Sequence, residues 1–425
     1  MQHSAHSPAV EHFGATVPMI AIAPFVIILL GIALMPLVAH KWWESNRNRA
    51  IFSSIVTAPI LAYLLLRYQE GLWHALHEYT AFIALLGALY IIAGGIHISG
   101  DIQGTPGKNV LMLAIGAVLA NIIGTTGASM LLIRPMLRIN QQRKHVAHIP
   151  FLFILIVSNC AGLLTPLGDP PLFLGYLRGV PFFWTLHLWP AWLICVGYLL
   201  ILFYLWDSRA YTREDVADLA RDISVSIPLR IHGNLNILFL AGVVGSVFLP
   251  SPYRELSMGL FTLLSWKFAP RAPRIANMFT FSPIIEVAVL FLGIFITMVP
   301  ALAILENKGP ELGLHYAWEF FLTTGFLSSV LDNAPTYLTF LTTAQSLDLP
   351  SQIVGISHMH LAALSCGAVF MGANTYIGNG PNFMVKAIAE EARYKMPSFF
   401  AFMLRSVMIL TPIYLLLTAY FLAAK

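Results

Sequence analysis

The stretch TPLGDPPLF, residues 165–173, occurs again in altered form as TYIGNGPNF, residues 375–383. Both copies lie in otherwise apolar sequence, and each places one polar residue, Asp169 or Asn379, beside Gly and Pro. Gly and Pro are the residues that helix interiors tolerate least. We therefore expect each copy to interrupt an apolar helix. The residues identical at an offset of 210 are Thr165 and Thr375, Gly168 and Gly378, Pro171 and Pro381, and Phe173 and Phe383.

The composition of the chain is that of a membrane protein. Of its 425 residues 58% are hydrophobic and only 10% are charged, whereas an average soluble domain carries about 25% charged residues. Apolar runs long enough to cross the ~30 Å hydrocarbon core, roughly 20 residues each, recur from Val17 onward. We predict an all-α polytopic membrane protein with one transmembrane domain, residues 1–425, surrounded by lipid. Neither enzymatic activity nor nucleic-acid binding is expected.

The cysteines and the N-terminal region add little chemistry. Cys160, Cys195 and Cys366 are isolated in apolar sequence, so neither a disulfide framework nor a zinc site is indicated. We expect buried structural cysteines and no cofactor. The first apolar run, residues 18–38, has no preceding basic region or cleavage site, so we interpret it as a retained helix rather than a signal peptide.

Ten membrane crossings are predicted, and two further apolar segments are interrupted centrally by polar residues. The interruptions read GTTGAS in segment 109–138 and LDNAPT in segment 317–347, and we interpret both segments as re-entrant helical hairpins. The ten crossings lie at about residues 18–39, 50–66, 80–98, 150–177, 183–206, 235–249, 254–268, 283–305, 355–390 and 399–423.

The distribution of Lys and Arg predicts the orientation, because basic loops collect on the cytoplasmic side. Loops 41–49, 138–144 and 267–274 are the basic ones, and all three fall inside if the N-terminus lies outside. Ten crossings then place the C-terminus outside as well. We expect the protein to reside in a bacterial plasma (inner) membrane.

A polar segment divides the chain into two halves of opposite orientation. Segment 207–234 is predicted to be a cytoplasmic linker, and apolar residues at helical spacing within it, Val216, Leu219 and Ile223, predict a surface helix. Residues 17–206 and 235–424 then each contain five crossings and one hairpin. This arrangement is an inverted repeat, and such repeats form substrate sites near the midplane where the halves meet.

The interrupted segments carry the predicted site. Unwound backbone inside a membrane is tolerated only where it is buried in protein or faces a water-filled cavity. Asp169 and Asp332 lie at such breaks among apolar residues, and an intramembrane carboxylate costs a few kcal/mol and marks function by default. We predict that both carboxylates bind sodium. The alternative is a buried acid paired with Arg134 or another base.

Oxygen-bearing side chains surround the two carboxylates in sequence. Sodium prefers oxygen ligands, although such residues also hydrogen-bond across helices. A carboxylate removed from water can hold a proton instead, so a site that takes either ion is an exchanger. The candidate oxygen ligands are Ser158, Asn159, Thr165, Asn333, Thr336, Asn374 and Thr375.

Several other polar residues receive structural interpretations. Glu286 begins its span, so we expect it near the inner membrane surface. Arg134 is expected to anchor the first hairpin. The histidines His97, His358 and His360 could relay protons, but hydrogen-bonded structural roles are favoured.

Four motifs give the chain a family resemblance: SNCAGLLTPLGDPP, GTTGASMLLIRP, LDNAPTYLTF and GANTYIGNGPNF. With these in order along nearly its whole length, the chain resembles the ion transporter superfamily, which includes NhaD-type sodium/proton antiporters, arsenite efflux permeases, citrate permeases and sodium-coupled dicarboxylate carriers. The resemblance implies a scaffold and a transport domain, often in a homodimer, with hairpin tips and broken helices holding ion and substrate. The residues carried over by position are Thr125, Thr126, Ser158 to Thr165, Asp169, Asp332, Asn333 and Asn374 to Asn379.

The hairpin tips depart from one branch of this superfamily. The dicarboxylate carriers place Ser-Asn-Thr at each tip, whereas this chain has Gly-Thr-Thr-Gly and Asp-Asn-Ala-Pro. An acidic tip repels a carboxylate cargo, so sodium/proton antiport by alternating access is favoured. Sodium- or proton-coupled uptake of citrate or a related organic anion is the alternative, followed by arsenite efflux. An intramembrane aspartyl protease would explain two acids that share a proton but not the duplicated Gly and Pro breaks.

Overall fold

The computed structural model describes residues 13–215, 227–347 and 352–423. The helices of the first half are α1 (Ala23–Val38), α2 (His40–Trp43), α3 (Asn46–Arg67), α4 (Gln69–Ala93), α5 (Pro106–Arg138), α6 (His148–Ile156), α7 (Pro170–Leu177) and α8 (Trp189–Tyr211). Those of the second half are α9 (Asn234–Ser246), α10 (Tyr253–Phe268), α11 (Ala272–Ala276), α12 (Ser282–Lys308), α13 (Ala317–Val330), α14 (Asn333–Gln345), α15 (His358–Met371), α16 (Gly380–Glu391) and α17 (Phe399–Ala423). Short 3₁₀ turns are Met19–Ile22, Cys160–Leu164, Phe182–Leu188, Gly309–Leu312 and Gly372–Asn374.

The predicted helical membrane protein is confirmed. Seven helical segments among the described residues are long and apolar enough to cross a membrane. They are Met19–Val38, Asn46–Arg67, Gln69–Ala93, Pro106–Arg138, Phe182–Tyr211, Ser282–Leu312 and Phe399–Ala423. Shorter helices occupy four of the ten predicted crossings, and in two of them the chain is interrupted at the repeated Gly and Pro motif.

Helix α5 is two helices folded against each other. Gly124 has φ 77° and ψ 155°, which no helix accommodates. Asn109 and Asn140 exchange two side-chain hydrogen bonds of 2.9 Å although they are 31 positions apart, a separation that would be about 46 Å along a straight helix. Pro106–Arg138 is therefore a hairpin, with its tip in the GTTGAS interruption.

Helices α13 and α14 form a second hairpin. The two residues that separate these helices, Leu331 and Asp332, have extended backbone. The rings of Phe320 and Phe340, one from each arm, lie 6.3 Å apart. The tip of this hairpin is the LDNAPT interruption.

The two copies of the repeated motif share one backbone path. In each copy a helix ends in a 3₁₀ turn, the chain extends, and a second helix begins with Pro in its first two positions. Thr165 and Thr375 have φ of −141° and −136°, and Asp169 and Asn379 have φ of −139° and −155°. Both breaks were thus placed correctly from the sequence.

The broken helices lie at the centre of the protein. Every residue of α6 is buried, as is Leu361–Met371 of α15, and a helix that is apolar all round belongs in such an interior. Peripheral helices instead leave apolar side chains uncovered, for example Ile55 and Leu66 of α3, which are 68% and 84% exposed. This distribution fits a lipid-facing rim around a buried centre.

The mostly helical fold includes one short two-stranded sheet, which the sequence analysis did not predict. Strands β1 (His97–Asp101) and β2 (Ile227–His232) pair antiparallel, with His97 opposite His232. The predicted crossing 80–98 therefore ends too late, because α4 stops at Ala93 before Gly94 and Gly95. The predicted start at residue 80 is also too late, since α4 begins at Gln69.

The predicted linker, residues 207–234, also differs from the structure. Helix α8 continues to Tyr211, and β2 occupies the end of the segment. The predicted surface helix around Val216, Leu219 and Ile223 lies outside the described residues.

Candidate functional site

Close backbone packing shapes each break. A Cβ added to Gly168 would overlap the carbonyl oxygen of Gly162, and one added to Gly378 would lie 2.5 Å from the carbonyl oxygen of Gly372. Real Cβ atoms do not approach backbone so closely, so both positions require glycine. The two turns hold Asp169 and Asn379 immediately before the helices that follow.

Asp169 is the centre of the site. Its Oδ1 accepts hydrogen bonds from Thr125 Oγ1 at 3.0 Å and from Asn379 Nδ2 at 2.8 Å. Its Oδ2 accepts one from Asn333 Nδ2 at 2.6 Å. Thr125 lies at the tip of the first hairpin and Asn333 at the tip of the second. All four breaks of the chain therefore meet at one carboxylate.

The carboxylate of Asp169 has no basic partner among the described residues. The residue is 1% exposed, and its three side-chain donors are neutral. Arg134, the base considered in the sequence, instead binds Glu391 of α16, with 3.3 Å between Nη2 and Oε2. This contact ties the first hairpin to α16, as expected for an anchor. A structural ion pair to Arg134 is thus excluded for Asp169.

Asp332 has a different position from Asp169. Its Oδ1 accepts a 3.0 Å hydrogen bond from the backbone N–H of Ala334, so it caps the N-terminus of α14. Its carbonyl oxygen accepts from Thr336 Oγ1 at 2.8 Å. The residue is half-buried and lines a cavity, while its neighbour Asn333 makes the contact with Asp169.

Two buried amide oxygens close to this centre lack a hydrogen-bond donor within the described part of the chain. They are Oδ1 of Asn333 and Oδ1 of Asn159. Buried acceptors are normally satisfied, so both are available to a cation. Asn159 Nδ2 meanwhile donates to Asn382 Oδ1 at 2.6 Å, and Asn382 donates to the carbonyl of Thr375 at 2.9 Å.

Asn382 is a site residue that the sequence analysis missed. It links the first break to the second and is fully buried. The signal was present, because a second Asn follows Asn379 within the repeated motif where the first copy has Leu172.

The predicted ligands Thr165, Thr375 and Asn374 hold the breaks to the hairpins. Thr165 Oγ1 donates to the carbonyl of Asn121 at 2.5 Å, and Thr375 Oγ1 donates to that of Ser329 at 2.6 Å. Asn374 Nδ2 donates to Ser329 Oγ at 2.9 Å. Their contacts are with protein rather than with Asp169.

The remaining predicted ligands lie near the hairpin tips. Ser158 Oγ is 2.8 Å from Ser129 Oγ, and the Ser158 carbonyl accepts from Asn379 Nδ2 at 3.2 Å. Thr126 lines the cavity. The structure therefore brings Thr125, Asn333 and Asn379 into direct contact with Asp169. The other predicted ligands lie around these residues.

A cavity of about 370 Å³ leads to this centre. Its walls are mostly apolar and include Thr125, Gly168 and Asn379. The charged residues that line it are Glu44, Arg49, Glu286 and Asp332. Arg49 Nη1 lies 3.2 Å from Glu286 Oε2. Glu286, which the sequence analysis expected near the inner membrane surface, is therefore paired with a base. Among the described lining residues the acids outnumber the single base, which favours cations in the cavity.

Two of the three histidines considered, His97 and His360, have hydrogen-bonded structural positions, as favoured. His97 Nδ1 lies 2.7 Å from Asn277 Oδ1, and His360 Nδ1 lies 2.6 Å from Ser357 Oγ. His358 packs edge-on against His187, with ring centroids 5.7 Å apart.

A polytopic helical protein whose broken helices and hairpin tips converge on a buried polar centre is a membrane transport protein. Residues 14–422 match the model of a family described as putative citrate transport, and the chain belongs to this family. The resemblance to citrate transporters of the ion transporter superfamily is thereby confirmed. A comparison with curated proteins found no match.

Proposed function

We propose that the protein is a secondary active sodium/proton antiporter that works by alternating access. The observation that carries this proposal is Asp169, a buried carboxylate that accepts three hydrogen bonds from neutral donors. An ionised carboxylate buried without a cation is strongly unfavourable. It is stable only with a bound proton or a bound cation, and the competition between the two is the exchange.

The surroundings of Asp169 support sodium as the cation. The unpartnered Oδ1 atoms of Asn333 and Asn159 supply the hard oxygen ligands that sodium prefers. The carbonyl oxygen of Ser158 accepts a hydrogen bond from Asn379 Nδ2, which also donates to Asp169. Asp332, in the cavity wall, attracts a cation toward this centre and disfavours an anion.

Coupled uptake of citrate or a related organic anion is the second candidate. The description of the family favours it, and a cavity of about 370 Å³ falls in the range of small-molecule sites. Arg49 is the one base that the described residues place in the wall of this cavity, and Glu286 already neutralises it. A polycarboxylate would thus meet a cavity with an acidic excess.

We further propose that the two halves are inverted repeats and that both hairpins are re-entrant. The matching backbone of the two breaks supports this, as do the equivalent bonds from Thr165 and Thr375 to the hairpin arms. The cavity borders loop 41–49, which the basic residues place in the cytoplasm. The structure then corresponds to an inward-open state, with both termini outside a bacterial inner membrane, and we expect a homodimer.

The identity of the transported ion is tested in proteoliposomes that contain a trapped pH indicator. We expect external sodium alone, without citrate, to drive proton movement out of the vesicles, because Asp169 exchanges one ion for the other. Lithium and citrate are added separately. A pH response that appears only with citrate would instead select the symporter and contradict antiport.

Alternating access makes a second prediction, on the ion pair of Glu78 and Arg178. Glu78 of α4 is 4% exposed, and Arg178 follows α7; Nε and Oε1 lie 2.5 Å apart. His74 Nε2 also lies 3.3 Å from Glu78 Oε1. In the predicted topology this pair joins α4 to the end of the first broken helix on the outer side, and we propose that it closes that side.

Glu78→Gln should depopulate the inward-open state, because removing one partner of a buried pair costs about 3–5 kcal/mol. To report on the cavity, Ala387 in its wall is replaced by Cys. The three native cysteines are buried and should not react with the label. Labelling of Cys at 387 by an impermeant maleimide in inside-out vesicles should slow about tenfold or more. Glu70→Gln, at an exposed acid of α4, is the control. Equal labelling rates in both variants would contradict the gate.

A further inference from the structure

A second cavity lies at one end of α8, away from Asp169. Its volume is about 590 Å³. The lining residues are Lys144, His145, Val146, Ala147, His148, Leu202, Leu205, Trp206, Arg209, Ala210 and Arg213. Among these described lining residues three are Lys or Arg, two are His and none is acidic. We call this site the basic cavity.

The residues from α8 and its end form one stripe along the helix. Leu202, Leu205, Trp206, Arg209 and Arg213 are spaced at three or four positions, which puts them on one face. The apolar members lie within a segment apolar enough to span the membrane, and the two arginines lie at its end. Arg209 and Arg213 are exposed. The stripe thus passes from hydrocarbon to the membrane surface.

Buried polar contacts hold the opposite wall, residues 144–148. Glu214 accepts hydrogen bonds from the backbone N–H groups of Lys144 and His145 at 2.9 and 2.8 Å. His148 Nε2 lies 3.0 Å from Oδ1 of the buried Asp207. The cavity is therefore preorganised rather than assembled by its ligand.

The nearby carboxylates within the described part of the chain leave the two arginines available. Asp207 and Glu214 are engaged with the 144–148 wall and with Arg143. Asp215 binds Lys144, with 2.6 Å between Oδ2 and Nζ. None of these contacts involves Arg209 or Arg213.

We propose that the basic cavity binds the headgroup and upper acyl chain of an anionic phospholipid. Arg209 and Arg213 receive the phosphate, and Leu202, Leu205 and Trp206 contact the chain. Basic pockets between membrane helices recognise anionic lipid headgroups in this way, and Trp lies preferentially at the membrane interface. A soluble phosphate would use the arginines but leave the apolar half of the stripe without a role.

The experiment measures lipid binding to the purified full-length protein in detergent. Phosphatidylglycerol, phosphatidylcholine and inorganic phosphate are titrated separately, and binding is followed by native mass spectrometry and by thermal stabilisation. We expect phosphatidylglycerol to bind about tenfold or more tightly than phosphatidylcholine. Inorganic phosphate should bind no better than phosphatidylcholine. This comparison on the unmodified chain does not depend on whether a variant folds.

The double variant Arg209→Gln/Arg213→Gln should lose this preference, with a fall in phosphatidylglycerol affinity of about tenfold or more. Lys267→Gln/Arg271→Gln, which removes two exposed cations from another predicted cytoplasmic loop, should bind as the unmodified chain does. Equal binding of the two lipids would overturn the proposal. Equal binding by the Arg209/Arg213 variant would also overturn it, and inorganic phosphate as effective as the lipid would replace it with a free-anion site.

Discussion

Asp169→Asn will abolish sodium-dependent proton movement in proteoliposomes while leaving the protein folded. The amide carries no charge to balance a cation and has no proton to exchange at ordinary pH. The pair that is lost is that of Asp169 with the bound cation. Loss of one partner of a buried charge pair costs roughly 3–5 kcal/mol, and at about 1.4 kcal/mol per factor of ten exchange should fall roughly 10²- to 10³-fold.

The fold should survive this substitution because the neighbours can adjust. An amide at 169 introduces one donor among three existing donors. Asn333 can turn its side-chain amide over and present Oδ1, which has no donor in the described structure. The new pair is then again donor to acceptor, so size-exclusion behaviour and melting should stay close to those of the unmodified protein.

Glu390→Gln is the matched control for this experiment. It likewise neutralises a carboxylate, here one in the second half, but Glu390 is half-exposed and its Oε2 lies 3.1 Å from Lys386 Nζ. Exchange should be unchanged. Full sodium-dependent proton flux in Asp169→Asn would refute the assignment of the site.

Arg143→Gln will have the largest effect on stability. Arg143 is 4% exposed, and its Nη2 lies 2.6 Å from Oδ1 of the fully buried Asp207. Nη1 donates to the carbonyl of Gly104 and to Asn140 Oδ1, both at 3.0 Å. The guanidinium therefore joins both arms of the first hairpin to α8.

Removing the guanidinium leaves Asp207 with two of its described side-chain partners, His148 and Asn109. An uncompensated buried charge costs about 3–5 kcal/mol, so the melting temperature in detergent should fall clearly and less monodisperse protein should be recovered. Arg47→Gln, at an exposed arginine, should melt as the unmodified protein does. Equal melting of Arg143→Gln would show that this network carries no stability.

Local signals explain why much of the fold was predictable. Hydropathy identifies membrane helices because every backbone polar group in lipid must be satisfied within the segment. Glycine and proline mark breaks for an equally local reason, so the interruptions at Gly124 and around Asp169 were visible in the sequence. The strands were not, since the pairing of His97 with His232 joins segments far apart in the chain.

The candidate site was likewise predictable only in part. Asp169 was predicted because a carboxylate in an apolar span is costly wherever it lies. Its role relative to Asp332 was not, since Asp169 receives donors from the other three breaks, whereas Asp332 caps a helix at the cavity wall.

The sequence by itself determined the class of protein, the two interrupted hairpins, the duplicated breaks and the position of a carboxylate at one of those breaks. Those features depend on residue type and near neighbours. Only the tertiary structure decided which groups surround Asp169, because Asn333 and Asn379 reach it across 164 and 210 positions. Packing of the helices sets such contacts, and no local pattern encodes which distant amide turns toward a given carboxylate.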